Sequence, residues 1–290
     1  MSLSIEPPTI DRVEVDPHAI RAFNHEDDYT GLAVKLLVEV GSYVCIAASI
    51  LPPPPQRWNR HEAVLVGHLV RLYKLISGLL DQTCQHRRET TFIFARLVFE
   101  CIVNTMFLAK NDRPEVVASY IEYSLRHEKR LRDRIRTNID ARGGEVLPIE
   151  ERMLRSIQAA ADKSGVNLDQ INPPHNWGGK NIFEKAKEVG LEDAYLGAFA
   201  GPSHSVHGNW QDLIEYHLDF ESDGYLPELR WHRPRPQLLT TVSILAIRTV
   251  EMFLSEIVGQ AADGIANKLP DLKERVLSLV HLHEEFLGRS

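Results

Sequence analysis

Cysteine is scarce. Cys45, Cys84 and Cys101 are the three in 290 residues, and no two form a Cys-x-x-Cys pair. Their odd number and helical surroundings argue against a disulfide framework and read as reduced, buried thiols in a cytoplasm. Net positive charge is also lacking. The balance is −7, which argues against a generally basic nucleic-acid binder while leaving room for local patches. There is no Gly-x-x-x-x-Gly-Lys-Ser/Thr loop, no His-Glu-x-x-His and no Gly-x-Ser-x-Gly. The P-loop phosphate cradle, the zincin helix and the serine-hydrolase elbow are therefore missing. No internal repeat, heptad array or domain linker is evident. No basic segment leads into an apolar run at the N-terminus, so no signal peptide is expected.

What is present is an ordinary globular composition, 43% hydrophobic and 25% charged. Two apolar segments resemble membrane spans. Residues 31–51 contain Lys35 and Glu39, and residues 238–258 contain Arg248, Glu251 and Glu256. Such charges are costly at a bilayer centre, so both segments read as core helices.

Residues 1–28, acidic and proline-containing, predict a loose N-terminal arm. Residues 29–290 predict a single helical domain. A first helix spans about 29–50, with Gly41 on its apolar face permitting close approach of a neighbour. Pro52 to Pro55 end it and form a stiff spacer. Helices follow over about 58–83, 88–110, 114–141 and 148–164, the last stopping at Gly165. Trp177 lies in a loop, where its ring needs a core pocket or a ligand. Short helices cover 182–189 and 191–199. Asp223-Gly224 is a hairpin signal. A long helix is expected over 236–267, then a last one from Pro270. The fold class is thus all-α: one bundle of about eight to ten helices with an irregular polar insertion at 166–236.

The helix at 88–110 is apolar almost all round, which places it in a core. Arg96, Glu100 and Asn104 nevertheless recur every four residues and share one stripe, with Glu89 extending it. Structurally, Arg96 and Glu100 read as an internal ion pair. Functionally, Arg96 would hold an anionic ligand beside Glu100 as orienting partner or general base. The next helix carries Tyr120, Tyr123, Ser124 and His127. A basic run follows: Arg126, Lys129, Arg130, Arg132, Arg134 and Arg136. That run is a candidate phosphate contact or a solvated face with internal ion pairs. Gly178-Gly179-Lys180 before a short helix could bind an anion, or be a flexible loop with a solvated lysine.

The stretch from Gly201 to Trp210 concentrates polar chemistry: Ser203, His204, Ser205, His207 and Asn209. His204 and His207 fall three apart on one helical face. That spacing suits a shared metal with Asp212, Glu215 or His217, although the metal reading is not favoured. Other readings are a serine nucleophile at Ser203 or Ser205, acid-base work by His204 or His207 with Arg96 holding charge, or a purely structural clasp.

Arg96-x-x-x-Glu100 in an apolar helix, then Tyr195, Ser203, His204, His207 and Gly208, resemble a mainly bacterial helical family catalogued as a domain of unknown function. The resemblance covers roughly residues 60–220. It implies an all-helical fold and no particular reaction or cofactor. Arg275 and His281 separately resemble the Arg-then-His spacing of the helical HEPN ribonucleases, with Val276 replacing that family's usual polar residue.

The expected function is a cytoplasmic helical protein with a polar cleft lined by Arg96, Glu100, Tyr120, Tyr195, His204 and His207. Asn104, His127, Lys180, Ser203 and Asn209 join them as candidate ligand contacts. The cleft would bind, and hydrolyse, a phosphate-bearing molecule or nucleic acid. His204, His207 and Glu100 are the candidate catalytic groups. The rival is a non-enzymatic interaction or regulatory module in which the same cluster is a structural network. Cofactor, partner and oligomeric state stay open, with a homo-oligomer compatible.

Overall fold

The core assembles from long helices whose ends are set by local chemistry. The computed structural model describes residues 10–50, 58–171 and 176–289. The four-proline spacer and the Pro173-Pro174 pair lie outside the described residues. Helix α1 (Pro17–Arg21) is one turn, capped by the Asp16 side chain. Helix α2 (Glu26–Ser49) opens on Glu26, Asp27 and Asp28, which suit the positive end of the helix dipole. Helix α3 (Arg60–Cys84) begins with a reciprocal capping box between Asn59 and Glu62. Helix α4 (Arg88–Lys110) follows a short turn. Helix α5 (Pro114–Ala141) has proline in its first turn, where the missing amide is harmless. Helix α6 (Pro148–Ser164) ends at Gly165, whose φ of 62° favours glycine.

Short elements follow: α7 (Ile182–Glu188), α8 (Glu192–Tyr195), α9 (Ser203–His207) and α10 (Trp210–Tyr216). A π-helical turn, Leu196–Ala200, joins α8 to the approach of α9. Strands β1 (Leu218–Glu221) and β2 (Gly224–Pro227) form an antiparallel hairpin with Phe220 opposite Tyr225. The hairpin is where the sequence placed it, but its turn is Ser222-Asp223, with Ser222 at φ 55°. Helix α11 (Pro236–Phe253) comes next, then α12 (Asp263–Ala266) and α13 (Leu269–Leu287).

The architecture is the expected all-α bundle with a small hairpin. Helices α2, α3, α4 and α11 pack on one another, α13 closes over α2 and α11, and α5 with α6 forms a hairpin beside α3. Among the described residues, four segments are long and apolar enough to cross a membrane: α2, α3, α4 and Pro236–Val258. Here they pack internally against other helices.

Several expectations are corrected. The long helix read over 236–267 breaks. After Phe253 a π-helical turn leads to Gly259, whose φ of 68° and ψ of −150° end the helical path. The close approach expected at Gly41 is at Gly78 instead: a Cβ there would sit 2.3 Å from the Phe94 ring, against an ordinary 3.7 Å contact at Gly41. Cys45 and Cys84 are exposed rather than buried, and only Cys101 is interior.

The segment expected to be loose is, from Ile10 onward, held to the bundle. Ile20 is buried. Glu39 and Arg275 meet inside the protein in a two-pronged ion pair of 2.6 and 2.7 Å. The backbone of Val13 completes them: its N–H donates to Glu39 at 2.9 Å, and its carbonyl accepts from Arg275 at 2.7 Å. Breaking one side of a buried pair strands the other charge, which costs about 3–5 kcal/mol. Arg275→Met should lower unfolding stability in urea by that order. Adding Glu39→Met should recover much of the loss, because no charge is then left stranded.

Candidate functional site

Helix α4 is covered by α3 and α11, and its remaining side faces α7, the π-helical turn and α9. Arg96, Glu100 and Asn104 lie on that side, partly exposed. Arg96 is held in three ways. Its Nε donates to Ser203 Oγ at 2.9 Å. Its guanidinium lies 4.5 Å from the centroid of Phe199. One Nη stands 4.0 Å from Glu100, too far for a hydrogen bond. Ser203 Oγ also donates to the Phe199 carbonyl at 2.6 Å. Tyr195 stacks on Phe199 at 5.1 Å. The two sequence motifs therefore meet, and Tyr195 backs the contact. Among the described residues, the terminal nitrogens of Arg96 have no hydrogen-bond partner.

One turn along, Glu100 acts on a residue the sequence reading passed over. Lys185 of α7 is buried, with its Nζ 3.2 Å from the centroid of Trp177 and 5.5 Å from that of Phe107. Burial lowers its pKa to about 7, and the nearby Glu100 charge only partly opposes that. Trp177 fills a pocket with Phe107 and Tyr120, at 5.4 and 5.2 Å. Its loop turns inward at Gly178, whose N–H donates to Ser119 Oγ at 3.0 Å. Gly178 has a φ of 63°, and a Cβ there would press on Phe107 at 3.0 Å. Tyr120 continues the chain to His68 at 5.1 Å. Burial, with a smaller contribution from Arg71, lowers the His68 pKa to about 4. Asn104 makes no side-chain hydrogen bond among the described residues.

The imidazoles lie at the rim, where His204 and His207 are exposed on α9. Asn209 has two duties. Its Oδ1 accepts from the Asp212 N–H at 3.1 Å, capping α10. That fixes the amide so that Nδ2 faces and donates to His204 Nδ1. The His204 proton is then on Nε2, pointing away from Asn209. His204 is thus a hydrogen-bond donor, with no free lone pair for general-base work in this arrangement. Asn209, read from sequence as a ligand contact, is engaged as a cap and tautomer clamp.

Other candidates do not join. Lys180 is paired with Glu188. His127 stands exposed on α5 with no bond to these residues. Half of the basic run is spent internally, while Arg130, Arg134 and Arg136 stay exposed. Arg126 bonds Tyr123 at 2.6 Å, Lys129 donates to the Ile171 carbonyl at 2.8 Å, and Arg132 is buried against Asp133 and Asp169. The HEPN-like pairing is undone by burial, since Arg275 is saturated inside the bundle while His281 is exposed. Among the described residues, no group of three His, Cys, Asp or Glu is placed to hold a metal. His217 pairs with the buried Asp212 at 3.3 Å instead.

Fold and site together define a helical-bundle protein with a partly open polar stripe on a core helix. The chain belongs to the family described as "Family of unknown function (DUF5677)", which matches residues 62–225. That span is more than half of the chain and contains both halves of the site, in agreement with the resemblance over roughly 60–220. No curated protein and no solved structure matches the chain.

The buried bases make stability depend on pH in two windows. A base whose pKa is lowered by folding takes up its proton first in the unfolded chain, so acid favours unfolding. Lys185 should weaken the fold as pH falls from about 10.5 to about 7, and His68 from about 6.5 to about 4. The His68 interval corresponds to roughly 3 kcal/mol. Urea unfolding between pH 4 and pH 10 should show both slopes. Lys185→Met should remove only the upper one, and His68→Leu only the lower.

Proposed function

We propose that the α4 stripe and the α9 turn form a recognition site for a phosphate-bearing ligand, a small molecule or a nucleic-acid segment. The observation that carries this reading is the state of Arg96. It is fixed by Ser203 and Phe199, yet its terminal nitrogens are unsaturated among the described residues. A guanidinium already oriented and still owed acceptors suits two-pronged binding of a phosphate oxygen pair. His204 adds an Nε2–H donor at the rim, and His207 adds a second exposed imidazole. Two exposed free thiols, Cys45 and Cys84, fit a reducing compartment such as the cytoplasm.

The hydrolytic part of the reading assigns proton donation to the leaving oxygen to His207, with His204 supporting the departing charge through its Nε2–H hydrogen bond. The regulatory alternative is favoured by the internal bonds of Ser203 and Asn209, which give both side chains a structural role.

Calorimetric titration with pyrophosphate, adenosine 5′-monophosphate and a short single-stranded RNA tests the reading. Hydrogen bonds to a charged group contribute about 1.5–3 kcal/mol, so Arg96→Gln should weaken binding at least tenfold. Arg96→Lys should not restore it, since an ammonium lacks the planar fork. Absence of binding by all three probes, or equal binding by Arg96→Gln, would leave the network structural. Cleavage of a phosphodiester to a monoester and an alcohol that survives both His204→Gln and His207→Ala would remove the hydrolytic part alone.

A further inference from the structure

A second cavity, not used by the site at Arg96, lies between α4, the π-helical turn and α11. It has a free volume of about 350 Å³, within the ~300–1,000 Å³ usual for small-molecule sites. Its walls include Phe92, Val98, Phe99, Val242 and Leu245, and Arg88, Arg235 and Gln237 also line it.

These polar groups share one end. The Arg88 N–H donates to the His232 carbonyl at 3.0 Å, which places the start of α4 beside the segment leading into α11. Arg88 opens α4, while Arg235 and Gln237 flank the first residue of α11. Two long helices therefore turn their positive ends toward the same mouth. Val98, Phe99 and Leu245 lie two to three turns along those helices, so the other end of the cavity is apolar.

Two residues at the mouth carry polar atoms without partners. Arg88 Nε and Gln237 Oε1 are enclosed by protein and make no hydrogen bond among the described residues. Leaving such atoms unmatched is costly. Glu215 approaches Arg88 only at Nη2, at 3.6 Å, and leaves Nε uncovered. Rotation of the Gln237 amide would put an N–H where its unpaired oxygen now sits.

We propose that this cavity binds an apolar carboxylate. Its head group would lie at Arg88 and Arg235, with its hydrocarbon part between α4 and α11. Its carboxylate oxygens lie between the Arg88 guanidinium and Arg235, and the Arg88 and Gln237 side chains turn so that their unmatched groups reach the head group. The apolar walls exclude a strongly hydrated ligand, and the basic mouth distinguishes an acid from an alcohol of equal length. This proposal is independent of the phosphate reading at Arg96.

Calorimetric titration of the full chain with octanoate, 4-phenylbutyrate and octan-1-ol tests it. At least one of the two acids should saturate at one per chain with a Kd below about 1 mM, and octanol should bind at least tenfold more weakly. Arg88→Met should weaken acid binding at least tenfold and bring it close to that of octanol. Ala95→Phe, which fills the cavity from α4, should abolish binding. Thr241→Phe fills it from α11 and serves if circular dichroism shows the first variant unfolded. The proposal is overturned if neither acid saturates, if octanol binds as tightly as both, or if a folded cavity-filling variant binds as wild type does.

Discussion

The structure depends on the burial of α4. A helix this apolar must be enclosed, and α3 and α11 enclose two of its sides. The third side carries Arg96 and Glu100, which cannot be packed against a plain hydrophobic helix without stranding charge. The chain covers that side with short, kinked elements rather than another long helix. Helix α7, the π-helical turn and α9 supply a lysine, an aromatic face and a serine at the points where the stripe needs them. The irregular insertion is thus the complement of one helix face.

Arginines in this fold divide by how far their donors are filled. Arg275 meets two carboxylates and a backbone carbonyl, and Arg132 meets two aspartates. Both are fastenings. Arg96 lies 4.5 Å from one aromatic ring and Arg88 5.8 and 6.0 Å from two, yet both keep unfilled donors. Ordering a long side chain without saturating it gains little stability by itself. Such residues stand out as places where a ligand would complete the hydrogen bonding.

Periodicity revealed α4 and its stripe because a four-residue repeat is a local property. The meeting of Arg96 with Ser203 spans 107 positions and was legible only as two motifs of similar chemistry. Lys185 was missed because it lies in Glu-Lys-Ala-Lys-Glu, a pattern normal for a solvated helix face. The signal was Trp177, an aromatic in a loop that had to be covered by something. The basic run on α5 was open to two readings for the converse reason. The Asp169 partner of Arg132 is 37 residues away, so which charges of the run form internal ion pairs is not a local property. The N-terminal arm misled, because Val13 contributes through backbone atoms that composition does not reveal.

Asn209 ties two neighbours to one side chain. Its amide nitrogen serves His204 while its oxygen serves the first turn of α10. The amide cannot turn around without withdrawing its oxygen from the Asp212 N–H, and losing such a cap costs about 1 kcal/mol. The setting of the imidazole at the rim is therefore inherited from the start of the next helix: whatever loosens the first turn of α10 also frees the ring.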